Sequence, residues 1–402
     1  MEKLKEMFRE KFTRNEVRVV QSPLRICPLG AHVDHQHGYV TGMALDASIF
    51  LAYAPNPERY IRVQSLDFPD EEYFHLDHIP DMIPGFWGNY IRGAALSLER
   101  QYKLKVGIQG VVRGRHPIGG LSSSAAVITA YLMALCDVNG FSPSKEELIR
   151  LSHWVETDFI GLNNGILDQS ANILSKKGYL MFMDCRTEQY ELVPKSPRMP
   201  DYEVIVVYSG ISTALMGTDY NNRVDECKVA AWILQELDSG KVSPLKQVRL
   251  RDVAPDQFEA LKGSLPGRFR RRAEHFFSEN QRVLKGLQLW KEGDVSGFGR
   301  LMFESGESSI RNYECGCPEL ITIFETLSDC DGVYGARFSG AGYRGCCIGL
   351  VDPSKKESIQ EKIESVYPKK HPQYKDTFKV YYSKTGDGAR ILTPEEVRSF
   401  AE

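Results

Sequence analysis

Arg115-His116-Pro117-Ile118-Gly119-Gly120-Leu121-Ser122-Ser123-Ser124-Ala125-Ala126 is the stretch on which the reading of this chain turns. Two glycines and three serines open an apolar helix that ends at Asn139-Gly140. Amide N–H groups freed at a helix start, helped by the helix dipole, make an anion site. Glycine lets a phosphate approach the backbone closely. A serine-rich helix start is often a plain N-cap, and the GxxxxGK[ST] pattern of a Walker loop is absent. Whether the run binds phosphate depends on what surrounds it.

Upstream lies Pro23-Leu24-Arg25-Ile26-Cys27-Pro28-Leu29-Gly30-Ala31-His32-Val33-Asp34-His35-Gln36-His37-Gly38. So dense a run of Arg, His and Asp between two strand patterns reads as a loop, and loops on rigid elements often carry function. His32, His35 and His37 are candidate metal ligands, or members of a polar loop with no ligand. Downstream come Glu156 and then Gly165-Ile166-Leu167-Asp168-Gln169. Such a pair of acids can supply a metal ligand and a general base, and surface acids are the plain alternative. Apolar neighbours on both sides of Asp168 point it into a site. Toward the C-terminus, Gly335-Ala336-Arg337-Phe338-Ser339-Gly340-Ala341-Gly342-Tyr343-Arg344-Gly345-Cys346-Cys347 suggests a tight turn beside a ligand or a second element.

The 402 residues leave room for two domains or three. Hydrophobic residues at 42% and charged residues at 26% exclude wholesale disorder. A net charge of -3, spread along the chain without a basic stripe, argues against a nucleic-acid partner. The apolar stretch Ala125–Cys136 would span about 18 Å as a helix, against about 30 Å for a bilayer core, so no membrane partner is expected. Met1–Phe12 reads as an amphipathic helix and not as a secretory signal. The nine cysteines form no CxxC pair and read as reduced thiols of a cytoplasmic protein.

Strand patterns fall at Val17–Val20, Ser48–Tyr53, Ile61–Gln64, Val106–Val112, Tyr179–Met183 and Val204–Val207, with strand-rich stretches at Gly332–Val351 and Thr377–Tyr382. Helical patterns begin near Gly88, Ser122 and Ser144, where Ser144-Lys145-Glu146-Glu147 is a capping box. Long amphipathic segments run through Asp219–Leu237 and Gly267–Lys291. Three prolines in Val193–Tyr202 place a domain boundary there, dividing the chain into residues 1–197 and 198–402. The absence of strict βαβ alternation favours α+β over a doubly wound sheet.

Order and spacing of the four clusters resemble the GHMP sugar kinases, specifically the galactokinase branch, over about residues 17 to 392. The first cluster resembles the branch's PGRVNLIGEHTDYNxG, the second PLGGGLSSSA, the third EHxFAGxxxGIMDQ and the fourth GxRMTGGGFGGC. Tyr220-Asn221-Asn222-Arg223 fits its Tyr-x-x-Arg segment. The resemblance implies a two-domain fold, the first domain like the second domain of ribosomal protein S5 and the second ferredoxin-like. It also implies transfer of phosphate from ATP, with Mg²⁺, to the anomeric hydroxyl of a sugar. Asp168 would be the base and Arg25 its partner. Ser124 and Glu156 would hold Mg²⁺, and Gly119, Gly120, Leu121, Ser122, Ser123 and Ser124 would cradle the ATP phosphates. Ala31, His32, Asp34, Gly165 and Tyr220 would face the sugar. Oligomeric state stays open.

The departures from the pattern are informative. The phosphate loop is one residue shorter than in the branch, Cys27-Pro28 replaces an Asn-Leu pair, and Ala341 and Arg344 replace glycines. Ala31 stands where galactokinases have a Glu that reads the C6 hydroxyl. A Glu there would repel a uronic acid's carboxylate by about 4 kcal/mol at 4 Å and an effective dielectric of 20. The resemblance is therefore closer to galacturonokinases, with galacturonic acid as substrate. Galactose phosphorylation and a non-catalytic sugar sensor are the alternatives.

Overall fold

The computed structural model describes residues 2–12, 17–114, 120–211 and 219–399. The first half builds a sheet from β1 (Arg18–Ile26), β2 (Tyr39–Asn56), β3 (Tyr60–Ser65), β4 (Glu71–His75), β5 (Gly107–Gly114), β6 (Tyr179–Asp184) and β7 (Gln189–Pro194). Its order is β1-β2-β5-β3-β4, with β6 and β7 continuing from the start of β2. Pairing is antiparallel except for β3 beside β5. In the second half β8 (Glu203–Tyr208), β9 (Val333–Phe338), β10 (Cys346–Val351) and β11 (Lys379–Ser383) form a separate antiparallel sheet ordered β11-β8-β10-β9. The short β12 (Arg390–Ile391) then returns to the first sheet, with Val20 opposite Ile391 on β1.

Alternation along the strands explains why the first sheet is buried on both faces. Val20, Leu51, Tyr53 and Val112 turn to the main core, while Val19, Ala52, Ala54 and Val111 turn the other way. The amphipathic helix α1 (Glu2–Phe12) covers that second face with Leu4, Phe8 and Phe12. On the main face lie α2 (Asn89–Glu99), α3 (Ser123–Asn139), α4 (Lys145–Trp154) and α5 (Leu167–Leu174). The apolar run seen in the sequence is α3, a central helix packed on β1 and β2 and surrounded by α2, α4 and α5. The second half carries α6 (Tyr220–Ser239), α7 (Pro255–Leu261), α8 (Gly267–Glu292), α9 (Val295–Ser308), α10 (Pro318–Ser328), α11 (Lys356–Lys370) and, near the end, α12 (Pro394–Ser399). Helix α8, about 39 Å long at 1.5 Å per residue, also packs against β2.

Two readings are corrected. Strand β1 runs through Ile26, so Arg25 belongs to a strand and only the residues after it form the loop. At α4 the Ser144 hydroxyl accepts the Glu147 N–H at 3.2 Å, while the Glu147 carboxylate takes the Tyr102 hydroxyl at 2.5 Å. Half of the capping box is thus spent on tertiary packing. All nine cysteines are free. Among the described residues no helix is long and apolar enough to cross a membrane.

Candidate active site

The end of β1, the starts of α3, α5 and α6, and the turn between β9 and β10 converge on one cleft. Arg25, Ala31, His32, Asp34, Ser122, Ser123, Ser124, Glu156, Asp168, Tyr220, Arg337 and Arg344 line it. At its centre Arg25 Nε donates to Asp168 Oδ1 at 2.8 Å, and Nη2 stands 2.6 Å from the same oxygen. The Ser122 hydroxyl donates to Asp168 Oδ2. The approach is fixed by α5, because Asn172 donates to the Pro23 carbonyl at 2.6 Å and thereby ties that helix to β1.

The loop after β1 is held from below. Glu279 of α8 accepts the Gly30 N–H at 2.8 Å, the Ala31 N–H at 3.1 Å and the Ser305 hydroxyl at 2.7 Å through one oxygen. Its other oxygen takes Arg282 at 2.7 Å. Burial would raise the Glu279 carboxyl, but the Arg282 charge, with Arg337 and the Ser305 hydroxyl behind it, wins and holds it at about 2. His275, one turn earlier on α8, has Nε2 2.8 Å from the Ala31 carbonyl and Nδ1 2.9 Å from the Ser308 hydroxyl. Burial lowers this imidazole to about 4, so it is neutral near pH 7. A neutral ring with Nε2–H donating to the carbonyl and Nδ1 accepting the hydroxyl satisfies both contacts.

Asp34 is pushed up to about 6, chiefly by burial and then by the Asp168 charge, against N–H bonds from His35 and Leu167. Gly165 is packed behind Asp34 and not on the cleft lining. A Cβ at Gly165 would lie 2.5–2.7 Å from the Asp34 carbonyl carbon and side chain, so the site needs glycine there for space. Tyr220 is the first residue of α6 and reaches the cleft buried. The three histidines do not converge. His32 stacks on Tyr313 with ring centroids 4.2 Å apart, His35 Nε2 stands 3.1 Å from the Tyr313 hydroxyl, and His37 is half-buried elsewhere. Among the described residues no group of three or more His, Cys, Asp or Glu is placed to hold a metal.

Glu156 sits on a π-helical turn, Val155–Phe159, a distortion often found where a side chain must be re-aimed into a site. Its Oε2 accepts Asn164 and Gln169 amides at 2.6 Å each, and the Ser124 hydroxyl bonds to the same carboxyl. Burial first, then Asp168, raises Glu156. One carboxylate and one hydroxyl are hard oxygen donors, a set that fits Mg²⁺, which takes few protein ligands and completes its shell with phosphates and water. In the phosphate loop, Gly120 adopts a positive φ of 95° and its carbonyl accepts the Ser339 hydroxyl at 2.6 Å. The glycine at 340 lets the two turns meet, since a Cβ there would lie 3.2 Å from Gly120. Leu121 buries its side chain in the core and offers its carbonyl to the Arg25 N–H at 3.2 Å. Gly119 lies outside the described residues.

A mixed two-sheet fold with a serine-rich helix start beside an Arg–Asp pair defines a kinase class, and the chain belongs to the GHMP kinase family. Residues 89–176 match the GHMP kinases N-terminal domain, residues 284–369 the GHMP kinases C-terminal domain and residues 6–55 the galactokinase galactose-binding signature. Within the family it is 40% identical to the galacturonokinase of Arabidopsis thaliana over 94% of both chains. It is 33% identical to the galactokinase of Roseiflexus sp., covering 96% of this chain and 95% of that one. The structure of Lactococcus lactis galactokinase complexed with galactose superposes with a TM-score of 0.88 at 28% identity, covering 96% of this chain and 98% of that one.

Sequence reasoning missed the groups that position the site. Glu279 and His275 lie four residues apart in a charged helix, with nothing local to link them to a loop about 250 positions earlier. Asn164 and Gln169 stood inside the third cluster without a role. Arg337 was visible in the fourth cluster, but only the structure places it on the cleft.

Proposed function

We propose that this chain phosphorylates D-galacturonic acid at its anomeric C1 hydroxyl with ATP and Mg²⁺, giving galacturonate 1-phosphate and ADP. The observation that carries the reading is the Arg25–Asp168–Ser122 cluster at a serine-rich helix start, in the same cleft as Ala31. Asp168 takes the proton of the C1 hydroxyl as that oxygen forms its bond to the γ-phosphorus and the bond to ADP breaks. Arg25, bonded to Asp168, places a fixed cation beside the transferring group. The N–H groups of Gly119 to Ser124 receive the phosphates. Glu156 and Ser124 would hold Mg²⁺, which neutralises charge on the phosphates when bound. Phosphoryl transfer needs positioning and charge neutralisation more than covalent chemistry from the protein.

On the sugar side Asp34, His32 and Tyr220 meet the ring hydroxyls, with Gly165 setting the place of Asp34. Ala31 leaves space and no negative charge where a uronic acid carries its carboxylate. The two halves at residues 1–197 and 198–402 act as the two walls of the site, with β12 tying the end of the chain back to the first. Nine free thiols suit a reducing, cytoplasmic setting. A coupled ADP-release assay on galacturonic acid, glucuronic acid and galactose tests the reading. Preference for galactose would overturn it in favour of a galactokinase, and no turnover of any sugar would leave a sensor.

A further inference from the structure

The geometry points to Arg337 as the group that recognises the C6 carboxylate of the substrate. This inference rests on the galacturonic acid reading above. Arg337 lies on β9 opposite Ile348 of β10, and its neighbours Ala336 and Phe338 turn into the core of the second half. The Arg337 side chain turns the other way, to the cleft it shares with Ala31 and His32. It is only 2% exposed. Nη1 donates to the Cys27 carbonyl at 2.7 Å, four residues before Ala31. Nε is buried with no hydrogen-bond partner, and among the described residues Arg337 forms no ion pair with a carboxylate.

An arginine side chain does not give up its charge in a protein. A buried guanidinium with donors left over is costly unless an anion comes to meet it. Glu279 feels the Arg337 charge without forming an ion pair with it, and Arg282, Ser305 and the Gly30 and Ala31 amides already occupy its oxygens. Alanine at position 31 brings no carboxylate. The planar fork of Arg337 matches a carboxylate, which can accept two parallel N–H bonds. The galactokinase pattern GxRMTGGGFGGC has an arginine at this position together with the Glu that Ala31 replaces; with that acid gone, the carboxylate of a uronic acid supplies the anion.

Arg344, which also lines the cleft and also has a buried Nε without a partner, belongs to the other end. Its charge is felt by Tyr90 and Tyr208, and Tyr90 in turn feels the charge of Glu156, which lines the cleft with Ser122, Ser123 and Ser124. Arg344 is the internal control.

The test compares galacturonic acid with its neutral isostere galacturonamide, and with galactose, on wild type, Arg337→Gln, Arg337→Lys and Arg344→Gln. Loss of a charge-assisted pair should raise the KM of Arg337→Gln for the acid roughly 10–100-fold. The amide and galactose should move less than about threefold, because the variant loses nothing specific to them. Arg337→Lys keeps a cation and should keep the preference for acid over amide. Arg344→Gln should change the KM for ATP and leave the acid-to-amide ratio alone. If wild type uses galacturonic acid but Arg337→Gln loses acid and amide alike, Arg337 is structural and the inference fails while the substrate reading stands. A wild type that turns over galactose and not galacturonic acid overturns the substrate reading itself, and this one with it. Should Arg337→Gln fail to fold, a wild type that treats acid and amide equally refutes the inference without any variant.

Discussion

Ala31→Glu tests the substrate reading at a single side chain. Ala31 is buried on the cleft lining with its backbone fixed at both ends, its N–H on Glu279 and its carbonyl on His275. The added side chain cannot be relieved by moving the loop and must extend into the cleft. With galacturonic acid bound, two carboxylates near 4 Å repel by about 4 kcal/mol at an effective dielectric of 20. If the new carboxylate pairs with Arg337 instead, the substrate loses its cation and the direction of the effect is unchanged. With galactose, a neutral C6 hydroxyl can donate to the same carboxylate, a bond of about 1.5–3 kcal/mol. Even a third of the repulsion moves the ratio of kcat/KM values about tenfold toward galactose, since 1.4 kcal/mol suffices. The assay is steady-state ADP release on both sugars with both proteins. A ratio that stays within threefold, from a folded variant, would refute the reasoning, because it would mean that position 31 does not face C6.

Asp168→Asn keeps the shape but not the proton acceptance, so kcat should fall by roughly 10²–10⁴-fold while ATP affinity measured by calorimetry is retained. Glu156→Ala removes the buried carboxylate that takes the Asn164, Gln169 and Ser124 donors; the Mg²⁺ concentration for half-maximal rate should rise, and an unchanged titration would reject Glu156 as a ligand. Asp34, raised from 3.8 to about 6, gives stability that is full below about pH 4 and lost as the pH rises through 6. Melting curves of the sugar-free protein should show that loss, and Asp34→Asn should flatten it. Glu279 runs the opposite way: lowered from 4.5 to about 2, it gives stability that is present above pH 4.5 and lost as the pH falls through 2. Glu279→Gln should therefore cost about 3 kcal/mol near neutrality, and its melting temperature should meet that of wild type at the acid end.

Local chemistry made much of this molecule readable in one dimension. The apolar run after Ser122 became α3, the amphipathic Met1–Phe12 segment became α1, and β3, β6 and β8 lie where the strand patterns put them. Each owes its form to neighbours within a few residues. The strand Glu71–His75 escaped because its charged residues mask two buried positions, Glu72 and Phe74. The strand Gln189–Pro194 escaped because only Val193 is buried. The motif clusters also announced Arg25, Ser124, Glu156 and Asp168 as chemistry-bearing residues. Their meeting followed only from the family resemblance and from no local pattern, because the Arg25–Asp168 pair joins positions 143 apart and depends on Asn172 tying α5 to β1. Nor could the sequence show that Ala31 rests on His275 and Glu279, or that Arg337 reaches Cys27 across 310 residues and, among the described residues, forms no ion pair with a carboxylate. A side chain's residue type fixes what it can bond to. Burial and long-range packing decide which of those bonds it makes and which it keeps open for a ligand.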